Sequence, residues 1–269
     1  FSVGMDQNMT VVILDAQGNQ VAAYGTLPAA IAAATAGQTV KLLDNVTLTA
    51  SLSIGESQDL TLDLNSFKIS AAMNGPHMIC NAGKLTITDS STEKTGEIAK
   101  IGDASDYGYV IENHGTMTLD TCKITSTSSI SSAIENGWYH PAENTSGKNS
   151  VMTIQNAEVT SVNAAGGLYT VKNDDYGVMT INGCIFTNGT AGAGAVLNWN
   201  DLTIKNGTFT GASAVRTLKS GNSAYEAGKT TIKNGTFTGT IDTLDGSNDG
   251  ITVAVSGGTF DKPVKEEYC

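Results

Sequence analysis

From Leu60 onward the chain repeats one short rhythm of apolar and polar residues. A threonine stands between two apolar neighbours in Met117-Thr118-Leu119, Met152-Thr153-Ile154, Met179-Thr180-Ile181 and Leu202-Thr203-Ile204. The same centre recurs at Thr61, Thr86 and Thr231, and as Ala254. Alternation with period two predicts a strand with one face buried and the threonine column outward. Three residues on, Asn156, Asn206 or Asn234 marks a bend, followed by a small residue such as Ala157, Cys184, Gly207, Gly235 or Gly258. Two positions later an apolar residue returns: Ile124, Val159, Phe186, Phe209, Phe237 or Phe260. A short strand, a bend and a second short strand satisfy this pattern. Two copies, Thr203 to Gly211 and Thr231 to Gly239, are identical as TIKNGTFTG.

The centres lie 23 to 35 residues apart. That period fits stacked repeats with one unit per turn, and it excludes a meander of hairpins. A second column agrees, because most repeats are preceded by an apolar strand ending in asparagine. These are MICN to Asn81, YVIEN to Asn113, SAIEN to Asn136, YTVKN to Asn173 and AVLN to Asn198. Stacked at the strand spacing of about 4.8 Å, such amides can bond to one another up the column. Asparagine also tolerates a left-handed bend at a corner.

These asparagine runs, short strands and insertions at one corner resemble the right-handed parallel β-helix of the pectate-lyase-like superfamily, over nearly the whole chain. The resemblance implies an all-β solenoid of about eight to nine coils. Gly257 to Phe260 (GGTF), followed by DKPVKEEYC, is similar to surface proteins of gut Gram-positive bacteria. At the other end Thr26-Leu27-Pro28 starts a helix, with Thr as cap and Pro in the first turn, and Gly37 closes it. This helix, expected over Ala29 to Ala36, covers the open end of the sheet. With the GQTVKLL that follows, it resembles the N-terminal cap of β-helix surface proteins. The expected division is residues 1–45 as strands and capping helix, 46–261 as the parallel β-helix, and 262–269 as a tail or linker.

Composition narrows the partners. A net charge of −11 and a single arginine, Arg216, exclude nucleic acid, since no basic stripe exists to replace phosphate counterions. Strongly anionic polysaccharides are disfavoured for the same reason. No stretch is long and apolar enough to span a bilayer, so no membrane insertion is expected. The chain reads as a piece of a larger secreted or wall-attached protein, a monomer as a module, whose targeting segments lie outside it. Cys80, Cys122 and Cys184 are expected as reduced, buried thiols. Cys122 and Cys184 share a register but stand a whole repeat apart, too far for a bridge. No CxxC pair or neighbouring His marks a metal site, and no metal or cofactor is expected.

The candidate chemistry gathers at the corner between the asparagine and threonine columns. Successive repeats place there His114, then Trp138, Tyr139 and His140, then Asp174, Asp175 and Tyr176, then Trp199, Asn200 and Asp201. Tyr225 and Glu226 follow, and then Asp245 and Asp249. Both tryptophans and three of the eight tyrosines of the chain sit here. Flat rings beside carboxylates suit sugars, with rings on C–H faces and acids accepting hydroxyl protons. Against this stands cover: insertions gather at one corner in any case, and rings there can lie over exposed core.

Two function classes follow. One is a non-catalytic binding module that contacts host or dietary glycans, or host glycoproteins such as immunoglobulin. The other is a carbohydrate-active enzyme, hydrolase or lyase. Asp174, Asp175, Asp201 and Glu226 could supply a hydrolase's two carboxylates, yet the NTDG and GHG motifs of β-helix glycosidases are absent. A lyase needs a base and cations, and Arg216 and Lys219 stand alone. The binding module is therefore the leading expectation. The outward threonines are also similar to ice-binding solenoids, but Asp120, Gln155, Asn182, Lys205 and Lys233 charge and roughen that face. Plain β-propensity accounts for the threonines better.

Overall fold

The computed structural model describes residues 9–103, 105–220, 225–243 and 250–269. The architecture is all-β and dominated by parallel pairing, with one α-helix, Leu27–Ala33, among the described residues. The strands form three columns. In the first, Gln38–Leu42, Asp59–Asp63, Lys84–Thr88, Thr116–Asp120 and Ser150–Gln155 pair in parallel, each with the next. The column continues through the openings of Gly177–Asn188 and Asp201–Thr217 to Lys229–Ile232 and Thr252–Val255. The threonine centres fall in one register, including Thr118↔Thr153 and Thr203↔Thr231. Thr39 joins them opposite Thr61, a copy hidden in the sequence because its strand begins with polar Gln38.

The second column runs from Val46–Leu48 and Lys68–Ala71 through Glu97–Lys100, Lys123–Ser126 and Glu158–Ser161. The third stacks Leu52–Ile54, Ile79–Asn81, Ile111–Asn113, Ile134–Asn136, Tyr169–Asn173 and Gly194–Asn198. Inward positions form the core: Leu85, Met117, Met152, Met179 and Leu202 are all buried. Because one register position recurs in neighbouring strands, like side chains stack. Phe186, Phe209, Phe237 and Phe260 form one such column, with ring centroids 5.4, 5.0 and 4.9 Å apart.

The asparagines form a buried ladder. Each amide nitrogen donates to the next carbonyl oxygen: Asn81 to Asn113 at 2.7 Å, Asn113 to Asn136 at 2.7 Å, Asn136 to Asn173 at 2.8 Å, and Asn173 to Asn198 at 2.8 Å. Thr230 Oγ1 accepts the bond from Asn198. These asparagines end extended strands and take no left-handed bend. Positive φ occurs instead where the first column turns into the second, at Thr121 (54°), Asn156 (51°) and Gly183 (67°).

At the N-terminal end Val11–Leu14 pairs antiparallel with both Gln20–Tyr24 and Gln38–Leu42. The helix buries Leu27, Ala30 and Ile31 in the core. It starts as expected, with Thr26 Oγ1 accepting from the Ala29 N–H at 3.4 Å. It ends at Ala33 and not Ala36, because Gln38 Oε1 takes the Thr35 N–H at 2.8 Å and pulls the chain into the Gly37 turn. At the other end the stretch 262–269 carries a 3₁₀ turn, Glu266–Tyr268, and Tyr268 joins the core cluster.

Cys122 and Cys184 are buried, but Cys80 is only half-buried, which corrects the expectation for that residue. It occupies the outward position between Ile79 and Asn81, where the strand alternation turns it away from the core. Burial pushes the Cys80 and Cys122 thiols up to about 12 and the Cys184 thiol up to about 11. Thiolate is the reactive form. In a disulfide-exchange reagent at pH 8, exposed Cys269 should therefore react promptly in the folded protein. The other three thiols should react only on unfolding, and prompt labelling of Cys122 or Cys184 would contradict this packing.

Candidate functional site

The third column presents a second ladder beside the asparagines. The outward residue one place before each asparagine is Cys80, Glu112, Glu135, Lys172 or Leu197, and parallel register sets them in line: Cys80↔Glu112, Glu112↔Glu135, Glu135↔Lys172 and Lys172↔Leu197. From Glu112 to Leu197 this ladder forms the floor of a cavity of about 790 Å³. The walls come from segments on either side: His77, and one level on Tyr107 and Tyr109, precede the ladder strands, whereas Trp138, Tyr139 and His140, and then Asp174, Asp175 and Trp199, follow them.

Rings pair along the walls. His77 stacks on Tyr109 at 4.8 Å and 10°, and His114 on Trp138 at 3.7 Å and 5°. The Tyr109 N–H donates to His77 Nδ1 at 3.0 Å, which leaves the imidazole proton on Nε2, 3.3 Å from Glu112 Oε1. Burial holds both imidazoles below the ordinary histidine range, so they are neutral near pH 7. Tyr139 is 63% exposed and carries Lys172 Nζ over its ring at 4.4 Å. Ser132 in the same wall is buried, and its hydroxyl has no hydrogen-bond partner among the described residues.

Five carboxyl groups line this space, those of Glu112, Glu135, Glu143, Asp174 and Asp175. Glu135 is 2% exposed and accepts the Tyr139 N–H at 2.9 Å. Burial, then its hydrogen bond to Asp174, pushes its carboxyl up to about 9, so it is protonated at neutral pH. Asp174, also buried, lies 2.8 Å from Lys172 Nζ. Burial and Asp174 together push Asp175 up to about 6. Burial, with Glu135 and Asp174 close by, holds the Tyr109 phenol well above its usual range, which makes it a donor and not a base. Glu112 Oε1 lies 3.3 Å from His77 Nε2 and 4.0 Å from His114 Nε2.

The corner residues divide between two concavities and do not form one exposed strip. Trp138, Tyr139, His140, Asp174 and Trp199 belong to the large cavity. Tyr176, Asp201, Tyr225 and Glu226 line a smaller neighbour of about 350 Å³, and Asp175 is a wall of both. Local contacts set two of these placements. Asp174 and Asp175 are buried and not exposed partners, because the Trp138 N–H donates to Asp175 O at 2.9 Å and draws the 174–176 turn inward. Trp138 has one face covered by His114. That turn places Tyr176 at φ 62°, a conformation costly for a bulky residue. Asp245 and Asp249 lie outside the described residues.

Glu112, Glu135, Lys172 and Tyr109 are absent from the corner read in the sequence. The signal for Glu112, Glu135 and Lys172 is their place directly before a laddered asparagine, in YVIEN, SAIEN and YTVKN. Among the described residues no group of three or more His, Cys, Asp or Glu side chains is arranged to hold a metal ion. None of the described helices is long and apolar enough to cross a membrane. No protein-family model matches the chain, and neither curated proteins nor solved structures give a significant match.

Proposed function

We propose that the chain is a right-handed parallel β-helix whose third strand face binds a neutral glycan. The observation that carries this reading is the large cavity: stacked rings on its walls and hydrogen-bonding side chains on its floor. Its size falls within the range of small-ligand sites. Sugars need both chemistries, apolar ring faces for C–H groups and polar groups for hydroxyls. Charge selects among sugars. The lining carries Glu112, Glu135, Glu143, Asp174 and Asp175 against Lys172, which Asp174 already pairs. A uronate or sulfate would meet uncompensated negative charge, so neutral chains are the substrate class. The smaller concavity, sharing Asp175, extends the same site along the stack.

The in-register parallel columns, the right-handed preference of parallel crossovers and the superfamily resemblance support the β-helix reading. The GGTF likeness supports a secreted or wall-attached module of a bacterial surface protein.

Binding is measured by affinity electrophoresis and titration calorimetry against panels of neutral, uronate and sulfated oligosaccharides. Neutral glycans should bind and charged ones should not. Tyr139→Ala removes an exposed ring and should weaken binding by roughly tenfold, the effect of about 1.4 kcal/mol. Equal binding of uronates, or an unaltered affinity in Tyr139→Ala, would count against the site.

A further inference from the structure

Resting on the glycan-binding reading, we infer that the cavity is a hydrolytic centre: Glu135 is the acid/base and Glu112 the nucleophile that cleave a glycosidic bond with retention of configuration. Three observations point there. The two side chains are register partners on adjacent parallel strands, both projecting outward beside the asparagine ladder into the cavity. Backbones so paired are about 4.8 Å apart, close to the carboxyl spacing of roughly 5–5.5 Å in retaining enzymes and shorter than an inverting enzyme needs for its water. Second, their surroundings differ in the sense that acid and nucleophile require. Glu135 is buried against Asp174 and Tyr109, whereas Glu112 Oε1 lies 3.3 Å from Nε2 of neutral His77 and within 4.0 Å of His114. Third, the buried Ser132 hydroxyl in the same wall has no partner among the described residues and is available to bond a sugar hydroxyl.

The steps balance as a hydrolysis. Glu135 gives its proton to the glycosidic oxygen while a Glu112 oxygen attacks C1. The C1–O bond to the leaving sugar breaks, a glycosyl ester forms, and the leaving sugar departs as an alcohol. Glu135, now ionised, takes a proton from water, whose oxygen attacks C1 and breaks the ester. Glu112 returns as carboxylate, Glu135 is reprotonated, and one water has been consumed. Asp174 and Lys172 are positioning residues: the carboxylate shares the Glu135 proton between turnovers, and the ammonium balances the resulting charge. A lyase fits less well, because Tyr109 is held protonated and Lys172 is paired.

The full chain is tested on every neutral oligosaccharide and aryl glycoside that it binds. Reducing-sugar release, binding affinity, thermal melting and the anomeric NMR signal of the first product are recorded. Glu135→Gln and Glu112→Gln should keep the fold and the affinity yet lower turnover by roughly 10²- to 10⁴-fold. Azide should rescue Glu112→Ala through a glycosyl azide, which a merely structural Glu112 would not yield. Wild-type turnover should fall as pH rises towards 9, as Glu135, ringed by Glu112, Asp174, Lys172 and Tyr109, loses its proton. Binding without turnover of any bound glycan overturns the inference and leaves the glycan reading intact. Turnover that survives in both Gln variants, or an inverted product, overturns the assigned roles. An absence of glycan binding overturns the reading and the inference together.

Discussion

Asn136→Ala is expected to destabilise the fold by about 3–5 kcal/mol, a large share of the stability of an ordinary domain. Its amide donates to Asn173 Oδ1 at 2.8 Å and to Ser150 O at 3.2 Å, and its own Oδ1 accepts from Asn113. All of this is buried, with Asn113, Asn136 and Asn173 at 0% exposure. Truncation removes these bonds and leaves partners on both neighbouring levels without a mate, and each orphaned buried group costs about 1–3 kcal/mol. Exposed Asn206→Ala is the comparison, expected to change stability by no more than about 0.5 kcal/mol. Urea unfolding of the two variants measures the contrast. Similar midpoints would mean that the ladder contributes little.

Asp106→Ala should cost a comparable amount for a different reason. Lys100 is 1% exposed, and Asp106, its ion-pair partner, is 2% exposed. Asp106 also accepts the N–H groups of Gly75 at 2.8 Å and Gly108 at 3.0 Å. Without it a buried ammonium has no counter-charge, an error that costs about 3–5 kcal/mol. The exposed Lys84–Asp59 pair, at 2.9 Å, should contribute less than about 1 kcal/mol. The apolar double variant Lys100→Met with Asp106→Leu should recover the part of the loss that the orphaned charge causes, while the Gly75 and Gly108 N–H groups stay without their acceptor. Asp106 also pins the two glycine turns next to His77 and Tyr109. Glycan affinity should therefore fall in Asp106→Ala as well, and stability restored without affinity would separate the two roles.

The sequence discloses what stacks on itself. Thr203 and Thr231, the five laddered asparagines and the phenylalanine column recur in one register, because each level repeats the demands of the level below. Side chains that differ from level to level are harder to read. Glu112, Glu135 and Lys172 share a register position with Cys80 and Leu197, so beyond the one pair of glutamates no repeated letter marks them as a floor. Asp174 and Asp175 read as loop acids, and the backbone bonds that tie their turn to Asn136 and Trp138 turn them inward. The loop carrying Tyr109 is set by the buried Lys100–Asp106 pair, two residues that look solvated among the mixed charges of 90–107.

The most direct test of the proposed glycan site is a crystal structure of Glu135→Gln with its tightest-binding neutral oligosaccharide. The expected result is a sugar ring against Tyr139, with its anomeric carbon between the Glu112 carboxylate and the amide that replaces the Glu135 carboxyl. A sugar seated on the outward threonine face, or anywhere that leaves this cavity unfilled, would contradict it.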